Sequence, residues 1–178
     1  MKALLYCCKN KPYINKYGDD ITDYPDYVFA NEGINGRIVA ECDYEVEEII
    51  KKHSEYFKYC YITESLNEWE LMYKSLLDGE MMNDYLRGNK GYAIHIKNLH
   101  IFDEPKELSE YYNRVPMMYG NMRSITSAPQ NMRYVEDYFG HKYVLISIRP
   151  EWLCKILNGK KTIEVRKKVL KEMIKYGK

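Results

Sequence analysis

The chain has no hydrophobic run approaching the roughly 20 residues that a membrane-spanning helix needs; its longest apolar stretches are of the size of VLISI at 144–148. The first residues, MKALLYCCKNK, hold too short an apolar stretch for a secretory signal, so a cytoplasmic protein without a membrane partner is expected. Proline and glycine are sparse, 6 and 10 in 178 residues, and 46% of the chain is hydrophobic, which excludes a mainly disordered or low-complexity protein. The five cysteines, Cys7, Cys8, Cys42, Cys60 and Cys154, are odd in number and contain no CxxC pair. Neither a disulfide framework nor a metal site is therefore expected, and no cofactor. They read as buried or free thiols, with Cys42 and Cys154 inside apolar patterns where a small core residue is the usual role. No HExxH, Walker loop, Rossmann fingerprint or lysine–serine pair is present, which removes most common enzyme classes.

What is present is enough chain for one domain with a real core, and an uneven distribution of charge. The net charge is only +1, yet residues 141–178 hold 11 Lys and Arg against 3 acids, a local +8 that leaves −7 for residues 1–140. A polyanion would land on the basic end. The competing reading is a solvated basic helix in RKKVLKEMIKYGK. Nineteen tyrosines supply abundant aromatic surface.

Strands and helices interleave. KALLYCC at 2–8 and GRIVAECDYEV at 36–46, the latter after the turn dipeptide Asn35-Gly36, read as strands. Leu66, Trp69, Met72, Tyr73, Leu76 and Leu77 recur at helical spacing, and Asp78 offers the N-cap of a second short helix ending at Gly88. GYAIHIKNLHIF at 91–102 alternates as a half-buried strand. In DEPKELSEYY, acids before a proline followed by helix formers predict a helix, residues 115–131 read as loop, and QNMRYVED as a short strand.

The most regular unit lies at 144–168. VLISI is a strand, Pro150 suits a helix start, and Trp152, Leu153, Ile156 and Leu157 form one helix face, with Gly159 as the C-terminal cap. In KTIEVRK, Ile163 and Val165 alternate with Thr162, Glu164 and Arg166, so the strand is expected to bury the apolar pair and turn Lys161, Thr162, Glu164 and Arg166 toward water or a cleft.

LISIRPEWLCKILNGKKTIEVRK resembles the opening strand, helix and second strand of the ASCH domain, a member of the PUA-like superfamily, whose signature joins an Ile-Lys/Arg-Pro strand end to G-x-K-T-x-E-x-R. Upstream, INGRIVAECDYEVEEI, GYAIHIKNLHIFDEPKELSEY and APQNMRYVED resemble later segments of the same family, and KALLYCCKNK resembles the strand that follows E-V-R-K in relatives. The order implies a circular permutant: one domain over 1–178, with the later family segments at 1–137, a joint at 138–143, the family's N-terminal unit at 144–168 and a basic tail at 169–178. Permutation is physically reasonable because the ends of compact domains often lie close together. Residues 11–33 and 169–178 have no counterpart in the resemblance.

The resemblance implies an α+β fold, a small mixed PUA-like β-barrel with flanking helices and permuted strand order, and a cleft beside the G-K-K-T-I-E-V-R strand that binds RNA or a modified nucleotide. Lys160, Lys161, Thr162, Arg166 and Lys167 would contact phosphate or base, and Trp152 or a tyrosine would stack on an unpaired base. His95 matches a family histidine position and faces away from Ile94 and Ile96. Some relatives are hydrolases of an acylated nucleoside or of RNA; carried over, their lysine is Lys161, their threonine falls on Glu164, and their distant glutamate corresponds to Glu64 or Glu80. The departure at Glu164 removes a threonine nucleophile and leaves a general base on water as the alternative mechanism. A third reading is a protein-binding factor of a phage or mobile element. Oligomeric state is not encoded in these patterns.

Overall fold

The computed structural model of the chain describes residues 2–8, 34, 36–53, 60–113 and 123–175. It is a mixed α+β structure made mostly of strands: β1 (Lys2–Cys7), β2 (Ile38–Lys52), β3 (Cys60–Ile62), α1 (Glu68–Ser75), α2 (Gly79–Leu86), β4 (Gly91–Lys106), β5 (Tyr112–Asn113), β6 (Met132–Glu136), β7 (Lys142–Ile148), α3 (Pro150–Leu157), β8 (Ile163–Arg166) and α4 (Lys171–Lys175). Among the described residues the strands follow the hydrogen-bonded order β5-β6-β7-β1-β2-β4-β8, with β3 beside β2, and the sheet is not closed into a barrel. No helix is long and apolar enough to cross a membrane. The chain packs as two compact units, Met1–Cys42 with Leu99–Asn158, and Asp43–Asn98 with Gly159–Lys178.

In the first unit, β1 runs parallel to β7 with Leu4 opposite Leu145 and Cys7 opposite Ile148. A parallel pair is covered on both faces, and Val144 to Ile148 are all buried, so the strand expected at VLISI lies in the core on both of its faces. Its one polar side chain, Ser147, is satisfied by donating to the Pro129 carbonyl at 2.6 Å. Leu4, Tyr6, Ile38, Tyr111, Ile125, Val135 and Leu145 form this unit's core. α3 starts with Pro150 at its first turn and buries Leu153, Cys154, Ile156 and Leu157. β6 and β7 form an antiparallel hairpin, closed by Glu136 opposite Lys142. Its turn is held by Asp137, whose Oδ1 accepts from the backbone N–H groups of Phe139 and His141, each at 2.9 Å.

The second unit contains β3, the later part of β2, the first part of β4, and β8. Ile50 pairs with Ile62, and His95 with Ile163. α1 and α2 cover one side of these strands. Their core is Ile49, Tyr61, Leu66, Leu71, Met82, Leu86, Ala93, Ile163 and Val165. Burying a side chain such as Leu71, Met82 or Leu86 contributes about 1.5–3 kcal/mol, which fixes two helices of eight residues each that would not persist alone. α1 is also capped at its start: Asn67 accepts from Glu70 N–H, and the Glu70 carboxylate accepts from Asn67 N–H.

Two sequence expectations differ from the structure. The apolar spacing at 66–77 marks a helix, but the buried face is Leu71 and Ser75, and Trp69 and Tyr73 point to solvent. The predicted helix in DEPKELSEYY is instead the end of β4, which continues through Pro105 to Lys106, followed by a single 3₁₀ turn at Leu108–Glu110. The residue before a proline is driven toward extended geometry. Tyr111 is then drawn into the core edge-on to Tyr143, with ring centroids 6.0 Å apart, and that contact stops a helix from continuing.

Candidate functional site

The turn before β8 is sewn between α1 and β4. Thr162 N–H donates to the Lys74 carbonyl at 3.0 Å, and the Thr162 carbonyl accepts from Ile96 N–H at 2.9 Å. These two bonds carry Lys161 to the last turn of α1, where its ammonium donates to the Ser75 carbonyl at 2.6 Å. A helix leaves its last carbonyls without intrahelical partners and gathers partial negative charge there. Lys161 answers both needs.

Lys161 is 2% exposed and Glu164 8%, so the row expected to face water or a cleft is split. Glu164 is an ion-pair partner on both sides, with Oε2 3.5 Å from Lys161 Nζ and Oε1 2.9 Å from Arg166 Nε. Lys160, Thr162 and Lys168 are exposed, and Lys167 is half-buried with its ammonium 5.2 Å over the Tyr85 ring.

The antiparallel register separates His95 from this cluster. Opposite residues share a face in such a pair; Ile94 is opposite Glu164 and His95 opposite Ile163, so Glu164 and His95 project from opposite sides of the strands. His95 belongs to a second polar group, with Nε2 3.3 Å from Glu47 Oε2, while Ser65 Oγ donates to the same oxygen at 2.9 Å. Burial alone would raise the Glu47 pKa, but hydrogen bonds from Thr63, Ser65 and His95, with the His95 charge, outweigh it and hold the carboxyl below its ordinary value.

Glu64 lies exposed between β3 and α1, and Glu80 is exposed in the first turn of α2; the carboxylate that shares Lys161's burial is Glu164. Trp152 belongs to the other unit, half-buried on α3 with the Lys155 ammonium 4.5 Å over its ring. The structure thus brings together Lys161, Glu164 and Arg166, keeps Lys160 and Thr162 at the surface beside them, and leaves His95, Glu64 and Glu80 outside this cluster; Trp152 belongs to the other unit.

Sequence reasoning missed two things. The Ser75 carbonyl is a backbone group 86 residues from Lys161, with no sequence signal at all. Glu47 did have a signal: Glu41, Asp43, Glu45 and Glu47 alternate along β2. Each has a partner, Lys2 at 2.6 Å, Asn98 at 2.8 Å, Lys97 at 2.6 Å and His95 at 3.3 Å respectively. Among the described residues, no group of three or more His, Cys, Asp or Glu is arranged to hold a metal ion. No protein-family model matches the chain, and no curated protein and no solved structure is significantly similar to it.

Proposed function

We propose that this chain is a circularly permuted ASCH domain of the PUA-like superfamily that binds RNA or a modified nucleotide along the turn and strand at 159–168. The observation that carries the reading is the exposure of basic and hydroxyl side chains along this segment. Lys161, Glu164 and Arg166 are drawn into a buried ion-pair cluster, and Lys160, Thr162 and Lys168 lie at the surface of the same stretch. A fixed backbone that presents ammonium and hydroxyl groups suits phosphate contact, since little side-chain order is then lost on binding. The basic balance of residues 141–178 works in the same direction.

The permuted order is supported by the β6–β7 hairpin. A permutant must join the family's last strand to its first over a short connection, and here those segments are antiparallel neighbours across the Asp137–His141 turn. The mixed sheet with β1 parallel to β7 suits a PUA-like strand arrangement in permuted order, and among the described residues it is open rather than closed into a barrel. Hydrolysis of an acylated nucleoside or of RNA ranks below binding, because the Lys161 ammonium is committed to Ser75 and Glu164, and Glu164 to two cations.

The test is fluorescence anisotropy of a labelled single-stranded RNA with the wild-type chain and a Lys160→Ala, Lys168→Ala double variant, alongside chromatography of acetylcytidine incubated with both. Binding that weakens in the double variant, with acetylcytidine intact, is the expected result. Equal affinity in the two proteins removes the 159–168 segment from the interface, and released cytidine makes the chain a hydrolase.

A further inference from the structure

Beside the 159–168 segment, α1 and α2 turn an unusual set of side chains outward. Their buried faces carry Leu71 and Ser75, and Met82 and Leu86. On the outer faces, Trp69 is 69% exposed, Tyr73 79%, Met81 52% and Tyr85 40%. Trp69 and Tyr73 are four residues apart on one helix, and so are Met81 and Tyr85 on the other, so each pair lines up along its helix. Exposed carboxylates are interleaved with them at Glu70, Glu80 and Asp84. Residues 64–86 contain six acids, Glu64, Glu68, Glu70, Asp78, Glu80 and Asp84, against the single base Lys74.

Apolar surface concentrated in this way marks an interaction site, and its charge selects the partner. A phosphate backbone is repelled by a local −5, so this face does not extend the nucleic-acid surface proposed above. Cations are attracted, and the chain already places one here: the Lys167 ammonium sits over the Tyr85 ring at 5.2 Å. Arginine suits the mixture best, because its planar guanidinium stacks on Trp or Tyr while its fork of N–H donors meets a carboxylate.

We propose that the outer faces of α1 and α2 form a docking surface for an arginine-rich segment of a partner protein, with Trp69 and Tyr73 as its aromatic anchors. The proposal is independent of RNA binding by the 159–168 segment. Its test uses a labelled peptide of alternating arginine and glycine, with a lysine–glycine peptide of equal charge as the comparison. The arginine peptide binds the wild-type chain more tightly than the lysine peptide, and a Trp69→Ala, Tyr73→Ala variant weakens it by about tenfold or more while leaving RNA affinity unchanged. Both side chains are exposed, so the variant folds; a Glu70→Gln, Asp84→Asn variant, which keeps the aromatics, also loses affinity. The chain has two tryptophans, Trp69 and Trp152, so in a Trp152→Phe background the arginine peptide shifts the emission of Trp69 alone. Equal affinity for the two peptides, no effect of removing the aromatics, a loss of RNA binding in the aromatic variant, or self-association of the chain that this variant abolishes would each overturn the proposal.

Discussion

An ammonium 2% exposed is a costly group to bury, and Lys161 is tolerable only because it meets the Ser75 carbonyl and the Glu164 carboxylate at once. Replacing it by Ala strands a carbonyl at the end of α1, removes one of Glu164's two cations and leaves a void along the lysine stem. We expect Lys161→Ala to lower stability by about 2–4 kcal/mol in urea unfolding, and Lys161→Met to lose less, because the stem is retained. A Lys161→Ala protein as stable as the wild type would show that the ammonium has no structural role. The residue type was legible in the sequence, but its burial was not, because alternation reports which side of a strand a residue is on and says nothing of what covers that side.

Glu47 makes a second prediction at this scale. Its folded pKa lies below the ordinary 4.5, so the ionised form contributes stability that is fully present above that value and is lost as pH falls through the folded pKa. Unfolding free energy measured from neutral pH downward should therefore drop below about pH 4.5, and Glu47→Gln should make that drop shallower. An identical acid limb in the variant would sever Glu47 from acid stability.

At the scale of elements, period-2 alternation marked β2 and β4, and the cap residues marked α2 and α3, because those signals depend on near neighbours. The face of α1 was not legible. Trp69 and Tyr73 are the larger apolar residues, yet Leu71 and Ser75 face β3 and β8, since the short turn from β3 and the Asn67 cap fix the helix rotation before side-chain size can choose it. The same packing explains why β4 begins with glycine. A Cβ at Gly91 would lie 2.9 Å from both terminal carbons of Leu86 and 3.3 Å from Ile49 Cβ. Leu86 anchors α2 and is 2% exposed, so its side chain has little room to retreat. Gly91→Ala is expected to destabilise the chain by about 1–3 kcal/mol through overpacking. Pairing it with Leu86→Val should recover part of that loss, and additive losses in the double variant would contradict the contact.

For the whole molecule, two cores are built from segments far apart in sequence: residues 1–42 with 99–158, and 43–98 with 159–178. Contact across such distances is invisible to local pattern, which is why the motif at 144–168 was easy to see and its division between units was not. Trp152 falls in one unit and the Lys161 cluster in the other. The charge asymmetry, by contrast, is read directly from the sequence, and under the proposal its physical consequence is a salt-dependent affinity for a polyanion.

That consequence gives the most direct measurement. Single-stranded RNA affinity should be measured at a series of monovalent salt concentrations for the wild-type chain and for a Lys160→Ala, Lys168→Ala variant. Phosphate contact releases counterions, so log affinity should fall linearly with log salt, and the slope should become shallower by about 1.4 in the variant, about 0.7 for each lysine removed from a single-stranded ligand. A wild-type affinity that does not respond to salt, or a slope the variant leaves unchanged, would contradict a nucleic-acid surface on the 159–168 segment.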